Sequence, residues 1–231
     1  MKILVVGATG KTGQKLLQQL QETEHSVTGL IRDTAQTEQI TQFDADTLIG
    51  DLSQNVTNVP KGFDAIIFVA GSGGKDVQGV DYQGLANLVD AAVAADVKRF
   101  LYIGSINNGK PADQFIQEMT DFYQSRDEEV PEGLLTTANN PGYQTYVEMK
   151  AKAENHIVNS GINYTVLRAG LLLQDEGSGK VAVTEGTLNA FGFTARDNIA
   201  QCFIQALENA NAYHKIYTVL DGETDINDGF K

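Results

Sequence analysis

Short strand-like runs recur along this chain with helical patterns between them. They fall at Ile3–Val6, Ser26–Ile31, Thr47–Ile49, Ala65–Val69, Phe100–Ile103, Tyr164–Leu167 and Ile216–Leu220. Most are apolar on consecutive residues, so both faces of each strand need cover, as in a parallel sheet. The segments between them read as helices. Lys11–Glu24 carries Leu16, Leu17 and Leu20 at helical spacing. Asp81–Ala95 puts Leu85, Leu88, Val89, Ala92 and Val93 on one face. Tyr143–Asn159 runs until Gly161, and Asn198–Glu208 follows later. This alternation predicts a doubly wound α/β fold with a parallel sheet. With 231 residues and 42% hydrophobic content, the chain suits one domain over residues 1–231. A small substrate-side elaboration is expected toward the C-terminus.

Charge narrows the partners. The formal net charge is -13, which opposes nucleic acid and anionic membrane surfaces. Neither is expected as a partner; a small-molecule substrate is. Cys202 is the one cysteine, so neither an intrachain disulfide nor a zinc cage can be built from cysteines. His25, His156 and His214 are far apart and lack ligand spacing, so no metal site is expected. The apolar run Ile3–Val6 is too short for a signal-peptide core, and nothing downstream approaches a membrane span. The cytoplasm is the expected compartment. The stretch 107–141 reads as the least regular and is acidic, with Asp113, Glu118, Asp121, Asp127, Glu128, Glu129 and Glu132. Such a run is expected to be a solvated helix and loop. The alternative is a flap over a ligand crevice.

Gly7, Gly10 and Gly13 stand between the first strand and the first helix. Glycines there let the backbone turn tightly and approach a pyrophosphate, which the helix N-terminus attracts. The candidate cofactor-binding residues of this loop are Gly7, Thr9, Gly10, Lys11, Thr12 and Gly13. A nucleoside-triphosphate loop, G-x-x-x-x-G-K-[ST], is excluded, since its first glycine would have to replace Val5. At the end of the second strand, a carboxylate would favour NAD and an arginine the 2′-phosphate of NADP. Arg32 is the first polar residue there, Asp33 follows, and Lys11 adds a second cation. NADP(H) is therefore expected over NAD(H).

The order of further motifs carries a resemblance. They are Val5-Val6-Gly7-Ala8-Thr9-Gly10-Lys11-Thr12-Gly13, Gly50-Asp51-Leu52, Phe68-Val69-Ala70-Gly71, Asp81-Tyr82-Gln83-Gly84 with Asn87-Leu88, and Ile103-Gly104-Ser105. Tyr146-Val147-Glu148-Met149-Lys150, Leu167-Arg168-Ala169-Gly170 and Thr194-Ala195-Arg196-Asp197-Asn198-Ile199-Ala200 continue it. Over nearly its whole length the chain resembles the atypical short-chain dehydrogenase/reductases, the NmrA-like and biliverdin/flavin-reductase-like NAD(P)-binding Rossmann proteins. The resemblance implies that Asp51 and Leu52 lie against the adenine and that Ala70, Gly71 and Ser72 line the cofactor. Two departures stand out. The connection from Ser105 to Tyr146 is longer than usual, and Arg168-Ala169-Gly170 replaces the common R-P-G.

Tyr146 and Lys150 are four apart on a predicted helix and so share a face. A tyrosine with a pKa of about 10 is a poor proton carrier near neutrality. A neighbouring ammonium is expected to lower it. In reductases of this type the lysine also holds the nicotinamide ribose, and Ser105 is placed to bond a substrate carbonyl. The candidate catalytic residues are Ser105, Tyr146 and Lys150, with Tyr143 a competing tyrosine one turn earlier. The leading expectation is an NADP(H)-dependent oxidoreductase acting on a small carbonyl, quinone or flavin-like acceptor. The alternatives are a non-catalytic dinucleotide sensor with a protein partner, and a sugar-nucleotide epimerase or dehydratase. The last usually needs a larger C-terminal substrate domain than the stretch after Gly170 offers.

Overall fold

The computed structural model describes residues 1–231. The chain opens with β1 (Lys2–Val6), α1 (Lys11–Leu20) and β2 (Ser26–Ile31). A 3-10 turn (Thr34–Gln36) leads into α2 (Glu38–Thr41), β3 (Asp46–Ile49) and β4 (Ala65–Phe68). A π-helical segment (Val77–Gly84) runs into α3 (Leu85–Ala94), followed by β5 (Arg99–Ser105). Then come α4 (Ala112–Gln124), α5 (Glu132–Ala138), α6 (Pro141–Asn159) and β6 (Tyr164–Ala169). The last part holds β7 (Leu171–Leu173), β8 (Lys180–Glu185), β9 (Phe193–Ala195), α7 (Arg196–Leu207), β10 (Lys215–Asp221) and β11 (Thr224–Asp225).

Nine strands form one sheet in the order β11-β8-β10-β6-β5-β4-β1-β2-β3. From β10 to β3 every neighbour pair is parallel. Only β8 is reversed, pairing antiparallel with both β10 and the edge strand β11. Strands β7 and β9 pair separately. The expected doubly wound α/β fold is therefore present, with an antiparallel edge and a small second sheet as its C-terminal elaboration. Alternation along each strand divides the side chains between two cores. Ile3 and Val5 enter the core with α1 and α7, while Leu4 and Val6 enter the core with α3 and α6. The chain winds from β1 to β3 on one side, then returns to place β4 on the other side of β1. That reversal opens a crevice at the carboxyl ends of β1 and β4, where such folds bind ligands.

The structure corrects the reading of 107–141 as irregular. Two helices occupy it, and Phe115, Met119 and Tyr123 on α4 pack with Ala138, Tyr143, Val147 and Phe191 in a third apolar cluster. Its acids are mostly exposed, as expected; Glu118 instead pairs with the buried Lys110. Three prolines mark the helix starts: Pro111 and Pro131 precede α4 and α5, and Pro141 opens α6. Proline suits these positions because the first helical N–H groups lack partners anyway. Helix α1 stops at Leu20 rather than Glu24, where the Thr23 hydroxyl donates to the Leu20 carbonyl at 2.6 Å. No helix is long and apolar enough to cross a membrane.

Candidate active site

Three close contacts shape the turn after β1. Gly7 has φ +90, and a Cβ there would fall 2.5 Å from the Ala70 nitrogen. Only glycine combines that conformation with that approach. The Gly10 N–H donates to the Gly7 carbonyl at 3.0 Å. A Cβ on Gly13 would lie 2.2 Å from the same carbonyl oxygen, so glycine lets α1 press onto the turn. No side chain caps α1, so its first N–H groups are left for an anionic ligand. These features fit a bound diphosphate. Thr12 and Gly13 are buried, Gly7 and Thr9 half-buried, and Gly10 and Lys11 exposed.

Beyond β2, the Asp33 carboxylate is occupied by its own turn. Its Oδ1 accepts from the Ala35 N–H at 2.9 Å, while the Gln36 side-chain oxygen accepts from the Arg32 N–H, also at 2.9 Å. Arg32 is exposed, and the competing possibility of an Arg32–Asp33 ion pair is not realised. Its charge is felt at Asp51 instead. The Ser53 N–H and hydroxyl, and then Arg32, hold the Asp51 carboxyl below its usual value. Leu52 is buried beside Leu30, Val56 and Val59. After β4, Ala70 and Ser72 are half-buried and Gly71 is exposed.

On the other side of the crevice, α6 carries Tyr146, Lys150 and Glu154 at successive spacings of four. Lys150 is buried and donates to the Ile103 carbonyl at 3.1 Å. Its Nζ also lies 4.6 Å from the centre of the Tyr102 ring. Burial pushes Lys150 down to about 8, against the opposing pull of Asp81 and Glu154. Ser105 ends β5, and its hydroxyl accepts from the Asn107 N–H at 3.2 Å. The same hydroxyl acts on the Tyr146 phenol and lowers its pKa, but burial first and Asp81 second raise it. The phenol is thus shifted upward. That reverses the sequence expectation: burial and Asp81 outweigh the Ser105 hydroxyl, while the Lys150 ammonium is engaged with the Ile103 carbonyl and the Tyr102 ring.

The structure brings Ser105, Tyr146 and Lys150 together and adds residues the sequence reading had not assigned to the site. Asp81 is 5% exposed, and its Oδ2 accepts from the Ser72 N–H at 3.0 Å. Tyr102 is buried with its hydroxyl unpaired, as is the Ser72 hydroxyl. Glu154 binds Arg168 through two contacts of 2.9 and 2.5 Å. The spacing Tyr146, Lys150, Glu154 was a usable signal for Glu154. The motif Asp81-Tyr82-Gln83-Gly84 was one for Asp81.

A cleft of ≈ 740 Å³ opens between Gly73–Gln78 and the start of α6, with Tyr143 and Tyr146 in its wall. Helix α5 closes one side through Thr136 and Thr137. The buried Lys110 ties α4 to the 188 segment, donating to Glu118 at 2.7 Å and to the Leu188 carbonyl at 3.0 Å. A depression of similar size, ≈ 760 Å³, involves Met1, His25 and Glu208. It sits by the start of β1, opposite the carboxyl-end crevice, and plays no part in this site.

The crevice at the β1–β4 reversal, with its glycine turn and uncapped helix, defines a dinucleotide-binding Rossmann protein. The chain belongs to the NAD(P)H-binding family, whose model matches residues 7–210. It therefore binds a nicotinamide cofactor. It is similar to the Bacillus subtilis protein YhfK, named as an uncharacterized sugar epimerase, with 27% identity over 100% of this chain and 99% of that one. Sanguinarine reductase of Eschscholzia californica is 26% identical over 94% of this chain and 88% of its own. Among solved structures, the oxidoreductase ylbE of Lactococcus lactis matches with a TM-score of 0.80 and 23% identity, covering 100% of this chain and 95% of that one.

Proposed function

We propose that this chain is an NADP(H)-dependent reductase acting on a small carbonyl, quinone or flavin-like acceptor in the cleft beside Tyr146. The observation that carries this reading is the meeting of Ser105, Tyr146 and Lys150 at the carboxyl end of β5, across the crevice from the glycine turn. Gly7, Thr9, Gly10, Lys11, Thr12 and Gly13 would hold the diphosphate. Lys11 and the unpaired Arg32 would bind a 2′-phosphate, for which a guanidinium offers a fork of donors. Asp51 and Leu52 would lie against the adenine, and Ala70, Gly71 and Ser72 along the path to the nicotinamide. When bound, the nicotinamide supplies a hydride. Ser105 orients the acceptor oxygen, Tyr146 donates a proton to it, and Lys150 holds the ribose. The name of the Eschscholzia relative supports a reductase; that of the Bacillus relative points to an epimerase, and the two differ in the form of Tyr146 they require. The test is loss of NADPH absorbance on mixing the protein with a panel of carbonyl, quinone and flavin acceptors. Turnover with NADPH in preference to NADH is expected. No consumption across the panel would leave a dinucleotide sensor as the better reading.

A further inference from the structure

The cleft beside Tyr146 is lined by 13 residues, of which only Lys75 and Asp76 are charged. The two are chain neighbours, yet they do not pair. The Asp76 carboxylate folds back onto its own segment, where Oδ1 accepts from the Gly79 N–H at 2.9 Å. A Cβ on Gly79 would fall 2.3 Å from Oδ2, so glycine at 79 is what lets the carboxylate sit there. Acids elsewhere around the site are also engaged: Glu118 by Lys110, Glu154 by Arg168 and Asp81 by the Ser72 N–H. Lys75 is exposed and is left with no acid. It follows Gly73 and Gly74, at φ +63 and +82, on a stretch where a Cβ at either glycine would meet nothing within 4 Å. The other polar groups of the cleft are largely spent. Thr136 and Thr137 donate their hydroxyls to the Glu132 and Gly133 carbonyls, and the Asn140 Oδ1 accepts from the Gly142 N–H at 2.7 Å. Tyr143 adds a fixed flat wall, since its ring stacks on Phe115 at 5.4 Å and 12°.

We propose, on the basis of the reductase reading above, that Lys75 is a specificity-determining residue and that the acceptor of this cleft is a flat carbonyl or quinone bearing a carboxylate. The carboxylate lies at the Lys75 rim, and the oxygen to be protonated lies at Tyr146. One ammonium balances one negative charge, so a carboxylate suits this rim better than a dianionic phosphate, which a lone cation leaves half neutralised. The chain's net charge of -13 repels such an acceptor from a distance. Salt screens that field beyond about 8–10 Å, so the close contact with Lys75 decides. The hydrogen bond it makes is charge-assisted, the stronger kind.

The experiment is calorimetric titration of the protein, loaded with oxidised NADP so that no turnover is needed. The probes are a benzaldehyde and a naphthoquinone, each as the carboxylate and as its methyl ester. Each acid is expected to bind about tenfold tighter than its ester, with the preference narrowing as salt rises. Lys75→Gln should bring the acid-to-ester ratio to about one, and Lys75→Arg should keep it. Where the acids turn over, the loss in Lys75→Gln should fall on KM rather than kcat. Acids that bind no tighter than their esters overturn the proposal, as does a preference that survives in Lys75→Gln or the failure of all four probes to bind. FMN against riboflavin is the phosphate arm; discrimination there, with none between acids and esters, overturns the carboxylate assignment. A loss of NADP affinity in Lys75→Gln also overturns it, because the cation then serves the cofactor. Failure of the reductase reading registers separately: no probe consumes NADPH, while the acid preference and its dependence on Lys75 persist.

Discussion

Gly7 and Ala70 meet backbone to backbone: a Cβ on Gly7 would lie 2.5 Å from the Ala70 nitrogen. These residues follow β1 and β4, the strands between which the winding of the sheet reverses. The crevice exists in its present form because neither loop can be pushed off the other. Gly7→Ala is expected to reduce stability by about 1–3 kcal/mol through overpacking and to lower NADPH affinity by at least about tenfold. Gly62→Ala is the control. Gly62 has φ +83 but nothing within 4 Å of a Cβ, so it tests backbone strain alone. Urea unfolding and fluorescence titration with NADPH measure both; native affinity in Gly7→Ala would contradict the assignment.

Arg32 should decide between the two nicotinamide cofactors. A hydrogen bond to a charged group contributes about 1.5–3 kcal/mol, so Arg32→Ala should weaken NADPH by roughly 10–100-fold and leave NADH unchanged. Asp33→Ala removes the bond from the Ala35 N–H and should cost about 1 kcal/mol of local stability, with no effect on either cofactor. Parallel titrations with both nucleotides check this. Equal losses for NADPH and NADH in Arg32→Ala would remove the 2′-phosphate assignment.

The strands and the glycine turn were legible because their physics is local. Seven runs of strand-like residues marked the parallel strands, and three glycines marked the turn. The segment 107–141 was harder, since its acids obscured Phe115, Met119 and Tyr123, which lie four apart on α4. Strand β8, next to the edge strand, offers only the short run Val181-Ala182-Val183, of which Val181 alone is buried. The partners of Lys150 were not legible at all. Its hydrogen bond to Ile103 and its contact with Tyr102 depend on how α6 lies across β5. The expectation that it would lower the Tyr146 pKa used sequence spacing alone, and tertiary packing reversed the outcome.

Lys150 also makes stability depend on pH. Burial lowers its folded pKa from 10.5 to about 8, so between these values the unfolded chain binds more protons than the folded one. Stability from this group must then rise with pH across that window. Below about 8 the folded protein carries the full cost of the buried ammonium. Lys150→Met removes the titrating group, and the rise between pH 8 and 10.5 should disappear from urea midpoints measured at each pH. A rise of the same size in the variant would show that other groups cause it.

Glu154 and Arg168 are paired with side chains only 4% and 11% exposed. Removing one charge from such a pair is far more damaging than removing both. Glu154→Gln should cost about 3–5 kcal/mol. The double variant Glu154→Leu with Arg168→Met should recover much of that. Urea unfolding of both proteins tests the coupling, and a double variant as unstable as the single one would refute it.

The central claim is that Tyr146 works on an acceptor beside a bound NADP(H). Its most direct test compares wild type and Tyr146→Phe in two assays, NADPH titration and acceptor-dependent NADPH oxidation. The expected result is unchanged NADPH affinity with turnover reduced by roughly 10²–10⁴-fold, the usual contribution of a positioned proton donor. Undiminished turnover in Tyr146→Phe would contradict it.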